Sequence, residues 1–267
     1  MGNYNENFSK RICRPVIVLL FILVVNSFSN FSSVNAETKE DVLNTVVNYL
    51  KAQKDCNVED MITYSERAHQ ISNVKEFYKM MCKKLPLQEA KITNISIINE
   101  TTALVSIEAT HKDRIFIGTS PVIKKEGKWK IIRGIPGSEY VEYSSKTNRD
   151  DTEDEVKRSI EEYSKAIKSG DINEIKKYIA ISSDKKKNRL EQHFKAISKE
   201  PIPQVTPLGI KVISDTFAIA QIQTSNEHFS LTQNYAVCQE EGQWKVVFGH
   251  TLTNSAIPKN DKSVEVK

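Results

Sequence analysis

The sequence predicts an α+β protein in which one small unit, three helices followed by a four-stranded antiparallel meander, occurs twice in tandem behind a secretory signal. Three observations predict it. The chain matches itself at a shift of 114 to 115 residues, its apolar period changes from about 3.6 to 2 within each copy, and a basic-then-apolar segment stands at the N-terminus. A length of 267 residues suits two domains better than one core.

The N-terminal segment comes first. Lys10, Arg11 and Arg14 precede the apolar run Val16 to Val25, and a polar slope then leads through Val34-Asn35-Ala36 to the acidic Glu37-Thr38-Lys39-Glu40-Asp41. This predicts a signal peptide over 1–36, cleaved between Ala36 and Glu37, and a secreted or extracytoplasmic mature protein. Ten apolar residues fall short of the roughly 20 that span a bilayer as a helix. The competing reading is an uncleaved anchor through residues 15–25, and only then would a membrane be a partner. Cys13 precedes the apolar run, which excludes a lipid-attachment role, and Glu6 stands where a myristoylation pattern wants Ser or Thr. The net charge is +4, part of it carried by the signal, which leaves the rest too near neutral for a nucleic-acid partner.

The repeat fixes the domain plan: a first domain over 37–137, a polar linker over 138–151, a second domain over 152–252 and a charged, disordered tail over 253–267. In the helical part Val42, Val46, Tyr49 and Ala52 fall on Val156, Ile160, Tyr163 and Ala166; in the strands Ala103, Ile107 and Gly127-Lys128-Trp129-Lys130 fall on Ala218, Ile222 and Gly242-Gln243-Trp244-Lys245. Val42, Val46, Tyr49 and Leu50 follow helical spacing, as do Val156, Ile160, Tyr163 and Ile167. Asn57 and Asp171 cap the second helices, Gly170 ending the helix before. Val74, Phe77, Tyr78 and Met81 mark the third helix of copy one, and Leu190, Phe194 and Ile197 that of copy two. Strands are predicted near 91–98, 102–110, 114–124 and 128–135, then 206–213, 216–225, 228–239 and 243–250, with turns such as Glu126-Gly127 and Glu241-Gly242 between them. Alternation sends Ala103, Val105 and Ile107 toward the helices and Leu104, Ser106 and Glu108 away; Ala218, Ala220 and Ile222 oppose Ile219, Gln221 and Gln223 in the same way.

That order, with its Tyr-bearing first helix, its Ser-Gly-Asp break and its closing Gly-x-Trp-Lys-Val strand, resembles the nuclear transport factor 2-like (cystatin-like cone) superfamily, as in small exported proteins of Gram-positive bacteria. The resemblance implies that each curved sheet wraps its helices into a cone, and it covers about 38–136 and 152–250. The superfold hosts isomerases, dehydratases, transport factors and adaptors, so it leaves function open.

Enzymes on this fold work inside the cone, where Tyr49 and Tyr163 are the available hydroxyl donors and Trp129 and Trp244 the aromatic surfaces. These four are the candidate ligand-binding residues. No catalytic residue is assigned, because no carboxylate pairs with either tyrosine: Glu108 points away from the helices and its counterpart is Gln223. The five histidines share no equivalent positions and show no metal-ligand spacing, so no metal and no cofactor are expected. Of the three cysteines beyond residue 36, Cys56 and Cys82 form a possible disulfide and Cys238 reads as a small buried side chain. The expected function is a non-catalytic exported binding protein. Its partner would be an unknown protein, a small apolar ligand or a second copy meeting it through the sheet's outer face, where Ser106, Glu108, Gln221 and Gln223 lie. The alternatives are an envelope-anchored component of a conjugation or secretion machine and a small-molecule isomerase or hydro-lyase.

Overall fold

Val42, Val46 and Tyr49 recur every three to four residues and lie on the buried face of helix α1, residues 36–55. A computed structural model describes residues 36–135, 151–182, 187–197 and 202–258. The apolar run at 16–25, nearly all of the linker and the chain from 259 on fall outside these residues.

After α1 come α2 (Val58–Tyr64), β1 (Ser65–Arg67), α3 (Val74–Lys84), β2 (Leu87–Asn99), β3 (Thr102–His111), β4 (Arg114–Lys125) and β5 (Lys128–Arg133). The same order recurs in α4 (Asp151–Ser169), α5 (Ile172–Lys177), β6 (Ile179–Ala180), α6 (Lys187–Ile197), β7 (Gln204–Ser214), β8 (Phe217–Ser225), β9 (Ser230–Glu240) and β10 (Gln243–Leu252). A further strand, β11 (Asn254–Pro258), closes the described chain. The sheets run β1-β5-β4-β3-β2 and β6-β10-β9-β8-β7, so each half is the α+β unit of helices and meander. Each meander also has an added edge strand running parallel to its last strand. At two or three residues, β1 and β6 are too short to show a sequence period. Asn57 accepts the Asp60 N–H at 3.2 Å and Asp171 the Asn173 N–H at 2.8 Å, which starts α2 and α5. The hairpins at Glu126-Gly127 and Glu241-Gly242 put both residues at positive φ, the geometry that matches strand twist in a two-residue turn.

Two cores follow from strand alternation. In the first, Val42, Val46 and Tyr49 pack on Ala103, Val105 and Ile107; in the second, Val156, Ile160 and Ile167 pack on Ala218, Ala220 and Ile222. A third cluster joins the halves. Leu104, Ile123 and Ile132 of the first sheet's other face meet Phe217, Ile219 and Val247 of the second's. Burying such a side chain stabilises by about 1.5–3 kcal/mol, so this joint is substantial. It corrects the polar reading of the outer face. Ser106 bonds Thr119 at 3.2 Å and Gln223 bonds Ser230 at 3.1 Å, each within its own sheet, while larger apolar side chains on the same faces make the contact. The faces expected to meet a second copy thus meet each other within one chain.

The tail also departs from expectation. From 254 to 258 it is a strand antiparallel to β4 of the N-terminal half, pairing Asn254 with Gly118 and Pro258 with Arg114. Gly118 is required there, because a Cβ would run into the Thr253 carbonyl oxygen. Among the described residues no helix is long and apolar enough to cross a membrane.

Candidate functional site

One slot along β4 has two occupants. β5 pairs with its residues 122–125 and β11 with 114–118, and the stretch between them has no ladder partner on that side. Lys124 N–H points to Thr101 on the β3 side and Thr119 N–H to Thr253 on the other, so by alternation the nitrogen of Pro121 faces the slot. A proline, which lacks the N–H, forfeits no ladder bond in that place.

A cleft of about 150 Å³ opens at this gap. Leu50 of α1, Met81 and Leu85 at the end of α3, and Ile107 and Phe116 of the sheet give it apolar walls. Its polar groups are Gln53, His111, Thr119, Ser120 and Arg133, and its outer wall is Thr253 and Asn254, contributed by the C-terminal half. Arg133 Nη1 donates to Ser120 Oγ at 3.3 Å, and its guanidinium stands 5.6 Å from the Tyr49 ring. His111 is buried and its Nδ1 lies 3.0 and 3.1 Å from the Leu85 and Pro86 carbonyls. Carbonyls only accept, so Nδ1 carries the proton.

Arg67 adjoins the cleft. It pairs in register with Arg133 across the parallel β1–β5 ladder, and alternation puts both on the helix-facing side with Ser65 and Ile131. Its guanidinium lies 4.2 Å from the centre of the Phe77 ring, and a Cβ at Gly134, a cleft residue at φ 76°, would strike Arg67 Nη2. Glu66, between them in sequence, faces the other way to Lys125 at 3.4 Å and Lys130 at 3.9 Å.

None of the four expected ligand-binding residues lines this cleft. Tyr49 is 2% exposed, and burial pushes its hydroxyl pKa up against the pull of Arg133 and Arg67. Tyr163 packs in the second core, where burial, and after it the nearby Tyr235, raises its pKa. Trp129 and Trp244 are core residues; Trp244 Nε1 donates to Glu155 at 3.4 Å, whereas buried Trp129 Nε1 has no partner among the described residues. Cys56 and Cys82 are bridged, their Cα atoms 5.7 Å apart, and Cys238 is buried with its thiol pushed up to about 12 by desolvation. No group of three or more His, Cys, Asp or Glu is placed to hold a metal among the described residues.

The arginines had a signal in the repeat itself. Arg67, Ser120 and Arg133 stand where copy two has Ile181, Tyr235 and Phe248, so charge has entered positions that the strand period sends inward.

No family model and no curated protein matches the chain. Among solved structures it is similar to an NTF2-like protein of unknown function from Shewanella baltica OS155, at 18% identity and TM-score 0.30 over 36% of this chain and 92% of that one. It is also similar to an NTF2-like protein involved in plasmid conjugation, at 13% identity and TM-score 0.26 over 77% and 89%. A third is a cystatin-like protein from Ruminococcus gnavus ATCC 29149, at 11% identity and TM-score 0.23 over 80% and 90%. By its architecture the chain is a pair of α+β cone units, one of them with an open cleft.

Proposed function

We propose that the chain is an exported, non-catalytic binding protein whose N-terminal cone takes a small ligand and whose C-terminal cone serves as its scaffold. One observation carries this reading. The cleft at the β5–β11 gap is walled by both halves, while the matching end of the second cone is filled by Phe248 packed against Phe194 and His193, at ring distances of 5.5 and 5.3 Å. Apolar walls with a few convergent polar groups are the usual make-up of a small-molecule site. Its lining residues include no Asp or Glu, and His111, the one imidazole there, is held by the Leu85 and Pro86 carbonyls, which supports binding over turnover. Export rests on the N-terminal sequence.

The test is an NMR screen of the mature chain against small fragments of positive, negative and no charge. Resonances of Ser120, Gly134 and Thr253 should move with at least one class while those around Phe248 stay in place. A screen in which nothing moves the cleft refutes the reading. Sequencing the exported protein should give Glu37 as the first residue; a retained N-terminus in the membrane fraction would favour the envelope-anchored component instead.

A further inference from the structure

Arg133 lines the apolar cleft, and Arg67 stands beside it in register on the same sheet face, against the cleft residue Gly134 and lining the neighbouring hollow of Ser65, Glu66 and Tyr78. Neither forms an ion pair among the described residues, and Arg67 Nε is buried with no hydrogen-bond partner there. Two like charges in register on neighbouring strands repel, and partial burial strengthens the repulsion. Lysine could relieve this by losing its proton; arginine cannot. Tyr49, lying between α1 and these guanidiniums, does not supply the missing negative charge, because burial keeps its phenol protonated. What remains is an anion from outside. The cleft's other dimension is apolar, and its volume of about 150 Å³ equals the size of cavity that holds a single benzene ring.

We propose that the cleft binds a small organic carboxylate with a compact apolar body, an aryl or branched alkyl acid. Arg133 holds the carboxylate, Ser120 assists, Arg67 adds its charge from the neighbouring strand, and the body lies between Leu50, Met81 and Phe116. A guanidinium offers two parallel N–H donors that match a carboxylate's two oxygens, which favours arginine over a single ammonium for this task. This inference rests on reading the cleft as a ligand site and adds the ligand's class. The C-terminal cone, with Ile181, Tyr235 and Phe248 at the matching positions, has no such charge and takes no ligand.

The experiment titrates the mature full-length chain with benzoate and, separately, with its neutral analogue benzamide, following amide resonances by NMR and thermal stability by circular dichroism. Benzoate should shift Ser120, Gly134 and Thr253 and raise Tm, with benzamide weaker by about tenfold or more. Arg133→Gln should weaken benzoate by a similar factor; Arg133→Lys, which keeps charge without the planar fork, should fall between. Ser120→Ala, a mild change, should lower affinity to a smaller degree and serves if Arg133→Gln folds poorly. Equal binding of benzoate and benzamide overturns the carboxylate inference and leaves the cleft as a ligand site. So does a cleft shifted by neutral or cationic fragments but not by benzoate. A cleft that no fragment perturbs overturns both.

Discussion

Position for position, the N-terminal half carries Arg67, Ser120 and Arg133 where the C-terminal half carries Ile181, Tyr235 and Phe248. The backbones around them agree closely. Gly134 and Gly249 both have φ 76°, and the hairpin residues Glu126 and Glu241 have φ 51° and 54°. One scaffold thus has two outcomes that these three side chains distinguish, an apolar-walled cleft with polar groups or a packed apolar end. A second difference lies at the end of the first helix, where Gly170 takes the left-handed conformation at φ 71° and Cys56 holds it at φ 55°. Glycine adopts that conformation without strain; cysteine does not, and here it is bridged to Cys82 of α3.

Breaking the joint between the halves should have the largest effect. Phe217→Ala removes a fully buried side chain from the cluster shared by the two sheets and should cost about 3–5 kcal/mol in urea unfolding. If the loss is below about 1 kcal/mol, the outer faces do not hold the halves together. Reducing the Cys56–Cys82 bridge acts on the N-terminal half alone and should cost about 2–4 kcal/mol, read as a lower Tm in dithiothreitol that Cys82→Ala reproduces.

Grafting the second cone's side chains into the first sharpens the comparison. The triple change Arg67→Ile, Ser120→Tyr and Arg133→Phe should abolish ligand-induced shifts at the cleft, an affinity loss of about tenfold or more, while the fold persists. Gly170→Ala imposes a Cβ on a left-handed residue and should cost about 1 kcal/mol. The smallest effect concerns Cys238. Because burial raises its folded pKa to about 12, the native thiol should resist iodoacetamide at about pH 8, the region of an ordinary thiol's pKa. The linked stability follows in sign: it is intact below the unfolded thiol's pKa of about 8.5 and is lost as pH rises from there toward 12, because the unfolded chain releases the proton first. Cys238→Ala should remove that alkaline component from the urea midpoint.

Most of the backbone was legible because its signals are local. The α1 and α4 faces follow from Val42, Val46 and Tyr49 and their counterparts, and the hairpins from Glu-Gly pairs. The joint was not. Leu104 and Ile219 alternate with polar Ser106 and Gln221, and such a face reads as solvated until a second sheet is known to lie on it. β11 was hidden for a similar reason: Asn254–Pro258 is a short, proline-ended stretch with no clear period of its own, and its pairing partner is more than a hundred residues away. Pro121 was its one local hint, a proline within a strand that otherwise reads as central. The cleft had no local signal: Tyr49, Trp129 and their counterparts recur in both copies and pack in the cores, whereas the polar groups of the cleft stand at positions where the two copies differ.

The wall formed by Thr253 and Asn254 has a temporal meaning. A chain emerging N-terminus first finishes its first sheet's helices and β2 to β5 long before β11 exists, so that cone remains unwalled along β4 until the second half has been made and β11 follows it. A protease cut after Leu252 would return the folded protein to that unfinished condition with both cores intact.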